Sequence, residues 1–261
     1  MRAEKLAPGD FTGLATNYSK FRPGYAEAAL TALLSQVRHT IDEIDFVDVG
    51  AGTGIWTRMV AERGCASAIA IEPNDDMREQ GKADSGNLAI TWKKGSGENT
   101  GLANNSVDLL TMASSFHWVD FDKGISEFHR VLRPGGQMAV LWNPRYIEAN
   151  PLLVEIEQAL YKIAPNIKRV SSGRSGVTEQ LSDRLNTSSL FEDVLYIEGR
   201  HTVQQSPETY LGVWWSVNDI RAQAGEESFA QFMNYVEKKV SGLDVIETTY
   251  LTRLWTARSR I

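Results

Sequence analysis

Short apolar runs alternate with amphipathic stretches through the first 144 residues. The runs near 44–49, 68–72, 88–92, 107–112 and 137–142 have strand length, whereas 53–63, 74–82 and 121–132 repeat their apolar positions at helical spacing. This alternation implies right-handed crossovers and a mostly parallel sheet, so the fold class is α/β. Ahead of it, Phe11, Leu14, Ala15, Tyr18 and Phe21 recur at helical spacing until Arg22, Pro23 and Gly24 stop the pattern. A second helix is expected from Tyr25 to Val37, and residues 1–10 read as polar and mobile. The helix bearing Phe128, Val131 and Leu132 should end at RPGG, 133–136, with the fifth strand starting at Gln137.

After Pro144 the alternation weakens. Leu152, Leu153, Ile156, Leu160 and Ile163 mark an amphipathic helix, and the irregular KRVSSGRSG follows at 168–176. These read as an insertion, either a lid or a solvated connection. Strand-like runs near 193–203 and 245–257 flank helices at about 206–217 and 227–240. The expected organisation is one domain over 1–261. Residues 1–144 form its cofactor-binding half, 145–190 the lid or substrate insertion, and 191–261 the C-terminal strands and helices.

Residues 48–54 read DVGAGTG between the strand-like Ile44, Phe46 and Val47 and the helix-like Ile55, Trp56, Met59 and Val60. A strand ending in such a turn lets the backbone approach a ligand and aims a helix N-terminus at it. The glycines follow GxGxG, with Ile55 where a dinucleotide fingerprint has its third glycine. Asp48, just before them, would repel a pyrophosphate and attract the ammonium or sulfonium of S-adenosylmethionine. A cationic cofactor is thus favoured over NAD. Glu72 ends the second strand about twenty residues beyond the first glycine, where an acid commonly accepts hydrogen bonds from ribose hydroxyls.

The 261 residues are 42% hydrophobic and 23% charged, within the range of ordinary globular proteins. A net charge of −6 supplies no global basic field for a nucleic-acid backbone. Cys65, the single cysteine, precludes an intrachain disulfide and reads as a small buried apolar residue. No Cys/His cluster has structural-zinc spacing, so no metal is expected. No apolar run is long enough for a signal core or a membrane span, and the default location is the cytoplasm.

DVGAGTG at 48–54, Glu72, GSGENTGL at 95–102, FHWVD at 116–120 and RVLRPGG at 130–136 together resemble the class I S-adenosylmethionine-dependent methyltransferases. YSKFRPGY at 18–25 and the His–Trp pair are similar to the small-molecule group of methyltransferase type 11 and trans-aconitate methyltransferase-like enzymes. The likeness covers residues 11–144. It implies a Rossmann-like seven-stranded sheet of order 3-2-1-4-5-7-6 with strand 7 antiparallel, N-terminal helices, and a helical lid after strand 5. It also implies that Asp48, Gly50, Ala51, Gly52 and Gly54 surround the methionine part of S-adenosylmethionine, that Glu72 binds its ribose, and that Pro73 and Met77 adjoin it. Ser96 and Gly97 would flank the adenine. Many relatives carry aspartate where Ser96 stands, so the adenine amino group would turn to Glu98 or a backbone oxygen. Ser114 and His117 complete the implied cofactor set. Tyr18 and Arg22 would reach over the cofactor, the guanidinium near its carboxylate; alternatively, Tyr18 packs and Arg22 is exposed.

A sulfonium methyl is already electrophilic, so alignment for in-line displacement is the main requirement. A hydroxyl or carbon acceptor would need a base, and His117, after strand four on the carboxyl side of the sheet, is the candidate; Phe116, His117 and Trp118 could equally wall the pocket. Trp118, Trp142, Asn143 and Tyr146 are expected at the substrate pocket. NPRY at 143–146 superficially resembles the box of nucleic-acid amino methyltransferases, which belongs after strand four, and is read as a decoy. Trp214 and Trp215 could form an apolar platform for the acceptor or core packing. The leading expectation is a methyltransferase acting on a small-molecule acceptor, as a monomer or homodimer, with S-adenosylhomocysteine as product. The alternatives are a protein that holds the cofactor without methylating, such as a cyclase or a regulatory binder, and an RNA or protein methyltransferase.

Overall fold

A computed structural model describes residues 13–168 and 176–261. Its centre is a seven-stranded sheet of order β3-β2-β1-β4-β5-β7-β6. The strands are β1 (Asp45–Val49), β2 (Ser67–Ile71), β3 (Ile90–Lys93), β4 (Val107–Ala113), β5 (Leu132–Trp142), β6 (Phe191–Gln205) and β7 (Ile246–Ser259). β1 to β5 pair in parallel, while β7 inserts antiparallel to both β5 and β6. Order and orientation match the expectation. The inner strands are largely buried, as strands covered on both faces must be: β4 has only its last residue partly exposed.

The helices are α1 (Ala15–Phe21), α2 (Glu27–Leu34), α3 (Ile55–Ala61), α4 (Asp75–Asp84), α5 (Phe121–Val131), α6 (Pro151–Ile163), α7 (Leu181–Asn186), α8 (Pro207–Trp215) and α9 (Asn218–Val240). Asn74 and Asp120 cap α4 and α5 by accepting from the backbone N–H groups of Met77 and Lys123. Helices α3 and α5 lie on opposite faces of the sheet and build two cores, one around Phe46, Trp56 and Leu109, the other around Phe116, Phe128 and Leu110. A third core is separate from both. In it α6, α8 and α9 bring Ile156, Leu160, Trp214, Phe229 and Phe232 together as a helical cap.

Some expectations need correction, and some elements were not foreseen. β5 begins at Leu132, not Gln137: Leu132 pairs with Val107, the chain bulges through RPGG, and pairing resumes at Gln137 with Leu109. Arg133 holds the bulge by donating to Asp108 at 2.6 Å and Asp45 at 2.7 Å. The helix expected at about 227–240 is present as the second part of α9, and a helical stretch from Asn218, not expected from the sequence, precedes it across a break at Gly225, φ 78°. The short α7 carries too little periodicity to be recognised. Cys65 is half-buried, although burial does push its thiol pKa up. The expected mobile start at 1–10 and most of the loop at 168–176 lie outside the described residues.

Candidate functional site

The cleft opens at the carboxyl ends of β1, β2 and β4, where open α/β sheets bind ligands. Its volume is about 360 Å³. Residues from four short stretches line it, 50–53 with 55 and 56, 72–74 with 77, 96–98, and 112–115 with 118 and 119, and Tyr18 and Tyr25 arrive from the N-terminal segment.

The floor is the glycine turn. Gly50 adopts φ 64°, and a Cβ there would lie 2.6 Å from the Ser115 hydroxyl oxygen, so both conformation and space require glycine. Gly54, at φ 78°, has another purpose: a Cβ there would meet the Trp92 ring at 2.9 Å. It lets α3 start against β3, and it is not part of the cleft lining. Glu72 forms one wall. Its two carboxylate oxygens accept from Gly52 N–H at 2.7 Å and Asn74 N–H at 2.8 Å, which fixes the group in the cleft. Burial raises its pKa, and the two N–H groups oppose that rise.

Asp48 is fully buried behind the turn and does not line the cleft, contrary to the direct contact expected. It accepts from Thr57 at 2.6 Å and Thr111 at 3.0 Å, and Thr111 in turn accepts from the Trp56 indole at 3.0 Å. Burial pushes its pKa to about 7 against these two hydrogen bonds. A positive charge in the cleft would favour its ionised form through the floor.

Tyr18, Ala51, Gly52, Pro73, Met77, Ser96, Gly97, Glu98 and Ser114 line the cleft, so the structure brings most of the expected cofactor residues together, and Trp118, expected at the substrate pocket, lines it too. α1 carries Tyr18 across α4, bonded through Thr16 to Gln80 at 3.0 Å and through Ser19 to Asp84, with Gly13 N–H donating to Asp76 at 3.1 Å just ahead of it. Ser96 and Asn99 close a tight turn by exchanging backbone hydrogen bonds, and Glu98 accepts from Asp120 N–H at 3.0 Å.

The remaining expected residues lie elsewhere. Arg22 donates to the Ser216 hydroxyl at 2.8 Å and stacks over Tyr18 at 4.9 Å, outside the lining. His117 is also outside it; its Nδ1 accepts from the Trp142 indole at 3.3 Å. A neutral imidazole accepting there carries its proton on Nε2, so its lone pair is already engaged. Trp142 is core. Asn143 braces the chain ahead of α2, donating to Gly24 O at 2.9 Å and accepting from Thr252 at 2.9 Å. Tyr146 is half-buried beneath the Arg200 guanidinium. Trp214 is buried against Phe232, ring centroids 4.8 Å apart, while Trp215 is 42% exposed and edge-on to Phe229. Neither tryptophan lines the cleft.

Tyr25 was not among the expected residues. Its hydroxyl lies 3.0 Å from the Ser114 hydroxyl, and its ring stands edge-on to Trp56 at 5.3 Å. Burial pushes its phenol far above the usual range. Ser114 itself adopts φ 55°, a left-handed conformation costly for a residue with a Cβ and often found at functional sites. The aromatic residue directly after the RPG stop was the available signal for Tyr25.

Among the described residues no helix is long and apolar enough to cross a membrane. Residues 47–140 match the family model described as a methyltransferase domain. An uncharacterized methyltransferase of Mycobacterium bovis is 35% identical over 128 residues, 49% of this chain and 49% of that protein. The chain thus spans about half the length of this curated relative. A putative type II methyltransferase structure from Anaeromyxobacter dehalogenans superposes with a TM-score of 0.67 at 21% identity, covering 91% of this chain and 98% of that one. The structure of Haemonchus contortus phosphoethanolamine N-methyltransferase 2 in complex with S-adenosyl-L-methionine superposes with a TM-score of 0.55 at 14% identity, covering 97% of this chain and 58% of that one. Family match, sheet order and glycine turn agree: residues 47–140 of this chain match a methyltransferase domain, set in a seven-stranded sheet of the order expected from the sequence.

Proposed function

We propose that the protein transfers a methyl group from S-adenosylmethionine to a small-molecule acceptor by in-line displacement. The observation that carries this reading is Glu72, a buried carboxylate oriented by two backbone N–H groups beside a left-handed glycine turn that admits no Cβ. The cleft volume of about 360 Å³ falls in the range of small-molecule sites. When bound, S-adenosylmethionine supplies a methyl group made electrophilic by its sulfonium. Glu72 would hold the ribose hydroxyls, Ser96, Gly97 and Glu98 the adenine end, and Gly50 to Gly52 the amino-acid end. Asp48 would add negative charge from beneath without touching the ligand. Trp142 holds His117 in a wall beside Trp118, which supports positioning as the role of His117 over that of a base.

The net charge of −6 favours a small molecule over a nucleic acid, and the same reading places the protein in the cytoplasm as a monomer or homodimer. Calorimetric titration with S-adenosylhomocysteine should give micromolar affinity, and labelled S-adenosylmethionine should pass its methyl to an acceptor. Absence of binding would remove the proposal. Binding accompanied by turnover without S-adenosylhomocysteine would favour a cofactor-holding, non-methylating protein.

A further inference from the structure

Where the helical cap meets the sheet, buried polar groups on β7 go unanswered. Ile246, Thr248, Tyr250 and Thr252 share one face of the strand. Thr252 is satisfied, accepting from Ala26 N–H at 2.7 Å and donating to Asn143. The hydroxyls of Thr248 and Tyr250 are buried without a hydrogen-bond partner, and Tyr250 is only 4% exposed. Such orphans are uncommon in folded proteins and mark places where water or a ligand belongs.

Two guanidinium groups act on Tyr250. Arg145 leaves β5, pairs by an isolated antiparallel bridge with Tyr250, and lies over the Trp214 ring at 3.8 Å, near the Tyr210 hydroxyl. Arg22 bonds to neutral groups, the hydroxyl and carbonyl of Ser216, and no carboxylate pairs with it among the described residues. Burial raises the Tyr250 phenol pKa while both arginines oppose the rise, and Arg22 does the same to Tyr25 in the cleft wall. Arg22 also lies over the ring of Tyr18, which lines the cleft, at 4.9 Å, so the patch adjoins the cleft. Glu157 on α6 also acts on Tyr210. His201 stacks on Tyr250 at 5.5 Å, and burial lowers its pKa, so it adds no charge near neutrality.

We propose that Arg22, Arg145, Tyr210, Thr248 and Tyr250 bind an anionic oxygen group, carboxylate or phosphate, as a handle of the methyl acceptor remote from the atom that is methylated. The planar fork of arginine suits either anion, and stacking on Trp214 holds Arg145 in position. This inference rests on the methyltransferase reading above.

The test titrates succinate, citrate, benzoate and phenyl phosphate, with the matching amides and phenol, into the full chain saturated with S-adenosylhomocysteine. Labelled methyl transfer to each compound is measured in parallel. The acids should bind and the neutral compounds should not, and the carboxylate and phosphate arms identify the preferred anion. Arg145→Met should weaken acid binding about a hundredfold and Tyr250→Phe about tenfold, with partial recovery in Arg145→Lys. S-adenosylhomocysteine affinity should stay within about twofold in all three variants. Equal binding of the amides, no binding of any acid, or unchanged acid binding in Arg145→Met and Tyr250→Phe would each overturn the proposal. An equal loss of S-adenosylhomocysteine affinity in these variants would also overturn it, by assigning the patch to the cofactor. If the wild-type chain ignores S-adenosylhomocysteine, the methyltransferase reading fails, and the acids titrated into the free protein still decide the patch.

Discussion

The glycine-turn side of the cleft and the helical cap are built in different ways. The first draws its lining from four short stretches at the ends of parallel strands, so each segment brings several contacts with its own local geometry. The second collects isolated side chains, Arg145 from a connection, Tyr210 and Trp214 from α8, Tyr250 from β7, around a separate apolar core. A cofactor common to many enzymes suits the first construction. An acceptor that differs between enzymes suits the second, because single positions can change without disturbing the sheet.

If the two regions are energetically separate, Phe232→Ala should cost about 3–5 kcal/mol of stability by emptying the cap core, yet leave S-adenosylhomocysteine affinity little changed in calorimetry. Loss of affinity in a still-folded variant would break the separation. Gly50→Ala should do the reverse, lowering affinity roughly a hundredfold through its left-handed φ and the Ser115 contact, with a smaller effect on the denaturation midpoint.

Asp48 gives a pH signature. Its folded pKa, about 7, lies above the ordinary carboxylate value, so the folded chain binds the extra proton between the two. The stability this group contributes is present at low pH and lost as pH rises through about 7, leaving the free protein roughly 2–3 kcal/mol less stable at about pH 8 than at about pH 5 from this residue. Urea denaturation at both pH values should show the difference, and Asp48→Asn should flatten it. Glu72→Gln, which replaces one acceptor oxygen by a donor facing a backbone N–H, should weaken S-adenosylhomocysteine about tenfold. The smallest effect is expected from Trp142→Phe. Loss of the indole bond to His117 should lower turnover a few-fold without altering cofactor affinity, and a rise in turnover would restore the base role for this histidine.

The first region was largely legible because its chemistry is local. Asp48 to Gly54 is strand, turn and helix start in one window, and Glu72 follows at the end of the next strand. Even there the sequence misled on orientation: Asp48 alternates to the inside of the sheet, and Gly54 yields to Trp92 rather than to a ligand. Arg22 and Asn143 look like ligand contacts on paper because polar residues near a cleft usually are. Their actual partners, Ser216 and Gly24, are 194 and 119 residues away and appear only once the chain is folded. The same distance hides the Arg145–Tyr250 pairing, and RPGG reads as a stop although Arg133 pins it into β5.

The insertion of β7 between β5 and β6 has a consequence for biosynthesis. During translation β1 to β5 emerge in an order that lets each parallel crossover close on strands already made, but the β5 edge stays bare until Ile246–Ser259 leaves the ribosome. A nascent chain would then display a ready-made ligand cradle beside an open ladder, so early capture of the ligand could steady the intermediate while the strand that carries Tyr250 is still being synthesised.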